Sequence, residues 1–126
     1  MHQYKNISLR KLADFKQTDI TLPASKSISN RALIIAALAD SKFNINNLSE
    51  ARDTQTMLKL LKSNELTLDV LDAGTTMRFL TSYLSVTGQK KVLTGTERMQ
   101  QRPIKILVEA LIELGANINY LQKEGF

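Results

Sequence analysis

Seven residues in three short segments have the types and spacing to do chemistry. Lys26, Ser27 and Arg31 lie in Leu22-Pro-Ala-Ser-Lys-Ser-Ile-Ser-Asn-Arg-Ala32, Gly74 and Arg78 in Asp72-Ala-Gly-Thr-Thr-Met-Arg78, and Arg98 and Arg102 in Leu93-Thr-Gly-Thr-Glu-Arg-Met-Gln-Gln-Arg-Pro103. Each segment puts cations and small polar groups where a helix is predicted to start. The first N–H groups of a helix are unpaired and carry partial positive charge, so Gly, Ser or Thr lets an anion reach the backbone while Lys or Arg neutralises it. Three such places in one small chain point to a polyanionic ligand bearing phosphate and carboxylate.

In the first segment Ser27 and Arg31 are four apart and Asn30 is three from Ser27, so they share one helix face, and Lys26 leans over the same N-terminus. The bland reading is a solvated surface; the helix dipole opposes it, because it disfavours cations at a helix start unless an anion compensates. In the second, Gly74 lets a ligand touch the backbone, and Arg78 can pair with a ligand carboxylate or with Asp72. A plain strand-to-helix turn with a structural salt bridge is the competing reading. In the third, Arg98 and Arg102 make a pair of guanidinium clamps where the Gly-containing loop is turn-like.

Other chemistries are disfavoured. The chain has neither Gly-x-x-x-x-Gly-Lys-Ser/Thr nor Gly-x-Gly-x-x-Gly, which speaks against ATP and dinucleotides. It has no cysteine, so disulfides, a thiol nucleophile and zinc-thiolate sites are excluded, and its one histidine, His2, stands at the chain terminus. The formal net charge of +5 is scattered without a basic run or an aromatic ladder for stacking bases, which argues against nucleic acid. No signal-peptide stretch occurs, and the longest apolar run, Ala32 to Ala39, is too short to span a bilayer; a cytoplasmic location without membrane attachment is expected.

The elements that must position these residues follow from periodicity. With 126 residues and 43% hydrophobic content the chain can build one real core. Strands are predicted at Ile7 to Leu9 and Asp19 to Leu22, and Pro23 precedes a helix from near Ser25 with Ile28, Ala32, Ile35 and Ala39 as a buried stripe. A strand at Phe43 to Leu48 leads to a helix N-capped by Asp53, with Met57, Leu58 and Leu61 on one side. A strand at Leu66 to Leu71, a helix apolar on almost every side from Thr75 to Val86, and a strand at Lys90 to Leu93 follow. Pro103 suits the first position of a helix with Ile104, Leu107, Val108, Leu111 and Ile112 inward and Gly115 at C′, before a last strand at Asn117 to Leu121. The alternation predicts an α/β (α+β) architecture with helices packed on sheets.

In this order the three segments resemble the opening part of the 3-phosphoshikimate 1-carboxyvinyltransferase (EPSP synthase) family, over essentially the whole chain. The resemblance implies an inside-out α/β fold built of βαβαββ units, here incomplete, with residues 1–22 as opening strands and 23–126 as part of a substrate-binding domain of a longer, two-domain parent enzyme. It implies transfer of the enolpyruvyl group of phosphoenolpyruvate to the 5-hydroxyl of shikimate 3-phosphate, with no metal or organic cofactor, in a cytoplasmic monomer. Lys26 carries over as the catalytic residue touching both substrates, Ser27 and Arg31 as shikimate 3-phosphate ligands, Gly74 and Arg98 as phosphoenolpyruvate ligands, and Arg78 and Arg102 as supporting residues.

Retention of Gly74 implies a glyphosate-sensitive type of site. The chain departs from the family in having Asp72 where Asn is usual, Phe79 where Pro is frequent, and a shorter link between Leu61 and Asp72. Enolpyruvyl transfer needs a general base and a cleft closed from water. This chain offers cations without a convincing base, so alone it is expected to be inactive, with an exposed apolar edge or helix face where further chain would pack. Two other readings stand beside this one. The sibling UDP-N-acetylglucosamine enolpyruvyl transferases resemble Lys-Asn rather than Lys26-Ser27 and commonly use a loop cysteine. A non-catalytic anion- or nucleic-acid-binding module predicts steep salt dependence with little ligand selectivity.

Overall fold

Ser25 begins the first helix as an N-cap, its Oγ accepting the N–H of Ile28 at 3.4 Å. A computed structural model describes residues 8–11, 19–39 and 44–122. Among them lie α1 (Lys26–Leu38), α2 (Arg52–Leu61), β1 (Thr67–Asp69), α3 (Gly74–Val86), β2 (Val92–Thr94), α4 (Glu97–Gln100) and α5 (Lys105–Glu113).

The centre of the fold is a βαβ unit. β1 and β2 pair in parallel with Thr67 opposite Val92, Leu68 opposite Leu93 and Asp69 opposite Thr94, and α3 connects them. Parallel neighbours require a crossover of this kind, and the helix buries the sheet face it crosses. Leu68 and Val70 therefore meet Leu80 and Leu84 of α3, Leu60 of α2 and Met99 of α4 in one core, with Leu61, Met77, Tyr83 and Leu93 packed around it. α1, α2 and α5 all pack on α3, as the apolar character of that segment predicts. Gly88 and Gly115, both at positive φ, close α3 and α5: the N–H of Gln89 reaches Leu84 O and that of Ala116 reaches Leu111 O.

Several expectations are corrected. The stripe on α1 faces outward: Ile28 is 71% and Ile35 63% exposed, while Ser29, Asn30 and Leu33 point inward. The polar face of α1 packs on α2 and α3, and among the described residues the apolar face has no partner. α2 is capped at Ala51, with Asp53 inside its first turn, and its deepest residues are Thr54, Met57 and Leu60. α5 starts at Lys105, so Pro103 stands before the helix rather than at its first position. Asp19 to Leu22, the described residues 44–48 of the Phe43 to Leu48 strand, and Asn117 to Leu121 form no strand. A strand is held by a neighbour's hydrogen bonds, and among the described residues none of these segments has one. Among the described residues the strict alternation of strand and helix therefore holds only from α2 to α4. Ser8 and Leu9, the described part of the Ile7 to Leu9 strand, form no strand either, and Ile7 and Phe43 lie outside the described residues.

Candidate anion-binding site

The starts of α1, α2 and α3 are tied together. Lys26 Nζ, in the first turn of α1, lies 3.2 Å from Asp53 Oδ2 in the first turn of α2. The Oγ1 of Thr76, near the start of α3, donates to the Asp53 backbone carbonyl at 3.1 Å. The anion that a cation at a helix start calls for is thus internal at Lys26: it is the Asp53 carboxylate. Beneath this junction the Oγ of buried Ser29 accepts the N–H of Ser49 at 3.0 Å, fixing the chain that leads into α2.

Arg31 folds back along its own helix. Its Nη1 donates to Ser27 O at 3.1 Å and also to Ser27 Oγ, and its Cζ sits 5.9 Å from the centre of the Phe79 ring. The shared face of Ser27 and Arg31 is therefore real, and Phe79 of α3 forms its floor.

The second and third segments meet at the carboxyl ends of the two strands. Leu71 takes a positive φ of 57°, and its N–H donates to Asp69 Oδ1 at 2.8 Å while its carbonyl accepts the Thr96 N–H at 2.9 Å. This turn sets Asp72 on the wall of an open pocket of about 150 Å³ whose other lining residues are Arg98, Met99 and Arg102. The third segment is helical over α4, with Thr96 as its cap, and this turn brings Arg98 and Arg102 to the same pocket. Gly95 makes the approach possible: a Cβ there would stand 2.6 Å from Leu71 O and 2.8 Å from Met99 Cγ.

Two sequence expectations change here. Arg78 does not pair with Asp72. Its Nη1 donates to Gly74 O at 3.0 Å and its Nη2 to Pro103 O at 2.7 Å, so it clamps the start of α3 to the lead of α5. Asp72 instead meets Arg52, with Nη1 to Oδ1 at 3.4 Å. The space that the missing Cβ of Gly74 leaves is filled by the Arg102 guanidinium, and Arg78 Nη1 lies 3.1 Å from where that Cβ would stand.

Lys26, Ser27 and Arg31 thus stand on α1, Gly74 and Arg78 on α3, and Arg98 and Arg102 around α4. Asp53 and Thr76 join α1 to α3, and Gly74 touches Arg102. Sequence reasoning missed Arg52, Asp53, Thr76 and Gly95 as parts of the site. Only the Thr-Gly-Thr run around Gly95 carried a local signal; the other three act through partners about twenty or more residues away.

Fold and site together define an α/β protein with a small parallel sheet that collects cationic side chains around its helix starts. The chain belongs to the EPSP synthase (3-phosphoshikimate 1-carboxyvinyltransferase) family, whose model matches residues 14–65 and 61–126. A 3-phosphoshikimate 1-carboxyvinyltransferase of Bacteroides fragilis (strain YCH46) is 61% identical over 107 residues, covering 85% of this chain and 26% of that protein. Proteins of the same name from Sulfurovum sp. (strain NBC37-1) and Haemophilus ducreyi (strain 35000HP) are 41% and 40% identical, over 86% of this chain and 31% and 32% of theirs.

The chain therefore spans about a quarter to a third of the length of these relatives. The two family matches meet at 61–65, at the end of α2 and the link to β1. The Haemophilus alignment runs over 137 positions, more than this chain's whole length, so that relative carries residues with no counterpart here; the Bacteroides alignment does not. The short link read from the sequence is thus shared with the Bacteroides relative.

Proposed function

We propose that this chain supplies the phosphate- and carboxylate-binding wall of an enolpyruvyl transferase. The relatives are named as carboxyvinyltransferases of 3-phosphoshikimate; in the reaction proposed here the enolpyruvyl group of phosphoenolpyruvate passes to the 5-hydroxyl of shikimate 3-phosphate with release of phosphate. The observation that carries this is the union of the three segments: α1, α2 and α3 joined through Lys26, Asp53 and Thr76, and Gly74 packed against Arg102. Residues 23–126 are read as part of the substrate-binding domain.

Lys26, Ser27 and Arg31 hold shikimate 3-phosphate on the N-terminal face of α1, where the helix dipole and two cations favour a dianion. Arg98 receives the carboxylate or phosphate of phosphoenolpyruvate in the pocket it shares with Asp72 and Arg102, close to the start of α3 at Gly74. Arg78 and Arg102 support this wall, Arg78 by fixing α3 to the lead of α5 and Arg102 by filling the space above Gly74. Lys26 lies between the two ligands, and a bound dianion competes with Asp53 for it. Preorganised cations of this kind stabilise charge that builds on the phosphate oxygens as the C–O bond breaks.

Proton transfer needs a separate base. Asp53 is paired with Lys26 and Asp72 with Arg52, so neither carboxylate stands ready for it. The chain alone therefore binds without turnover. Titration of shikimate 3-phosphate and then phosphoenolpyruvate, followed by NMR at fixed salt, tests this. Saturable shifts at residues 26–31, lost in Lys26→Ala and Arg31→Ala, are expected; equal response to any anion, falling steeply with salt, would favour a nonspecific anion-binding module instead. Release of phosphate from the two substrates by the purified chain would refute the claim of inactivity.

A further inference from the structure

The wall of the Arg98 and Arg102 pocket contains a carboxylate. Asp72 has the wrong charge for an anion site, and it lines the same small space as both guanidiniums. Among the described residues Arg98 and Arg102 have no side-chain hydrogen bond or ion pair, although a carboxylate is the natural partner for a guanidinium fork. Asp72 is engaged elsewhere: its Oδ1 faces Arg52 Nη1 at 3.4 Å, on the first residue of α2.

We infer that Arg52 is a positioning residue that keeps Asp72 from acting as an internal competitor for Arg98 and Arg102. Arg52 draws the carboxylate toward α2 and balances its charge. A ligand anion then meets two uncommitted guanidiniums and a neutralised wall. Without Arg52 the carboxylate turns onto the forks and must be displaced before an anion binds. Both partners are more than half exposed, so the pair adds little to stability. Its effect is on the field inside the pocket, where two charges a few ångströms apart still interact appreciably.

This inference rests on the reading of the pocket as an anion site, and the test separates the two. Inorganic phosphate is titrated at low ionic strength into the 126-residue chain and into Arg52→Ala, Asp72→Asn and the double variant, while the Nε–Hε resonances of Arg98 and Arg102 are followed. Arg52→Ala is expected to weaken phosphate binding about fivefold, the scale of one unscreened charge at this distance. Asp72→Asn binds at least as well as the parent chain. The double variant returns to within about twofold of Asp72→Asn, because the competitor is gone. Without phosphate, Arg52→Ala alone shifts the Arg98 or Arg102 resonances toward those of an ion-paired guanidinium, and Arg52→Lys largely restores the parent spectrum.

Equal weakening by Arg52→Ala in both backgrounds would overturn the inference and make Arg52 a general support of the fold. So would no change in either background. Absence of phosphate response in all four proteins, Asp72→Asn included, would overturn the anion reading of the pocket and the inference with it.

Discussion

Two sets of cations in this chain differ in how they are employed. Those of the first and second segments are committed: Lys26 to Asp53, Arg31 to Ser27 and the Phe79 ring, Arg78 to the carbonyls of Gly74 and Pro103. Those of the third segment, Arg98 and Arg102, have no such side-chain partners among the described residues and line an open pocket. A committed cation shapes the backbone around a ligand and must exchange one partner for another to bind it. An uncommitted one binds without that cost. The comparison teaches that a positive charge near a helix start is not by itself a measure of readiness for an anion.

The strongest way to break this comparison is to remove the uncommitted pair. Arg98→Ala with Arg102→Ala is expected to lower phosphoenolpyruvate affinity on the order of a hundredfold, about tenfold for each lost charge-assisted contact, read by titration at fixed salt. A smaller loss than in Lys26→Ala would reverse the ranking of the two sets.

Gly95→Ala attacks the geometry that brings the third segment to the strand ends. Its Cβ meets the Leu71 carbonyl, which belongs to the backbone and cannot swing away, so denaturant unfolding should show a loss of about 1–3 kcal/mol. Gly74→Ala is the milder counterpart, since the atoms its Cβ meets belong to the flexible ends of Arg102 and Arg78. It should leave unfolding nearly unchanged while displacing the Arg102 guanidinium, visible as a shifted Nε–Hε resonance.

Asp53→Asn sharpens the comparison by converting Lys26 from committed to free. Affinity for shikimate 3-phosphate should rise about threefold, with stability altered by about 1 kcal/mol at most, because the Lys26 side chain is half exposed and that of Asp53 a quarter exposed. Unchanged affinity would mean that Lys26 does not take part. The smallest effect is expected from Phe79→Leu, which removes the ring under Arg31 and should weaken binding at the first segment about twofold, the scale of an exposed cation–π contact.

What could be read from the sequence divides along similar lines. Helices with their own start and stop signals were legible: Ser25 caps α1, the run from Thr75 to Val86 is a helix surrounded by others, and Gly115 ends α5 as a C′ residue. β1 and β2 fall within or beside their predicted ranges because apolar positions at Leu68, Val70 and Leu93 face the core. Segments whose structure depends on a distant neighbour were not legible. Residues 44–48 and Asn117 to Leu121 alternate as strands do, yet among the described residues have no strand to pair with. The stripe on α1 was correctly seen as apolar and wrongly given to the core.

The site shows the same limit. Ser27 with Arg31, Gly74, and the pair Arg98 with Arg102 each lie within one motif, so spacing alone brought them together. The sequence leaves Arg78 either a ligand carboxylate or Asp72, with which it shares a turn, but a carbonyl across the fold at Pro103 and, for Asp72, a guanidinium on α2 are the partners found. The partners that tie the site together, Asp53 to Lys26 and Arg52 to Asp72, are separated by about twenty or more residues and follow no local period.

The outward stripe of α1 also governs how the chain behaves among its own copies. Ile28, Ile35 and Leu38 present apolar surface on one side of a molecule that carries a formal net charge of +5. At low ionic strength that charge keeps molecules apart; as salt rises and the screening length falls to about 10 Å near 0.1 M, repulsion no longer reaches across the gap and the isoleucine faces can meet. Colloidal stability and the proposed anion affinity are therefore expected to decline together with salt, the one through lost repulsion and the other through lost attraction.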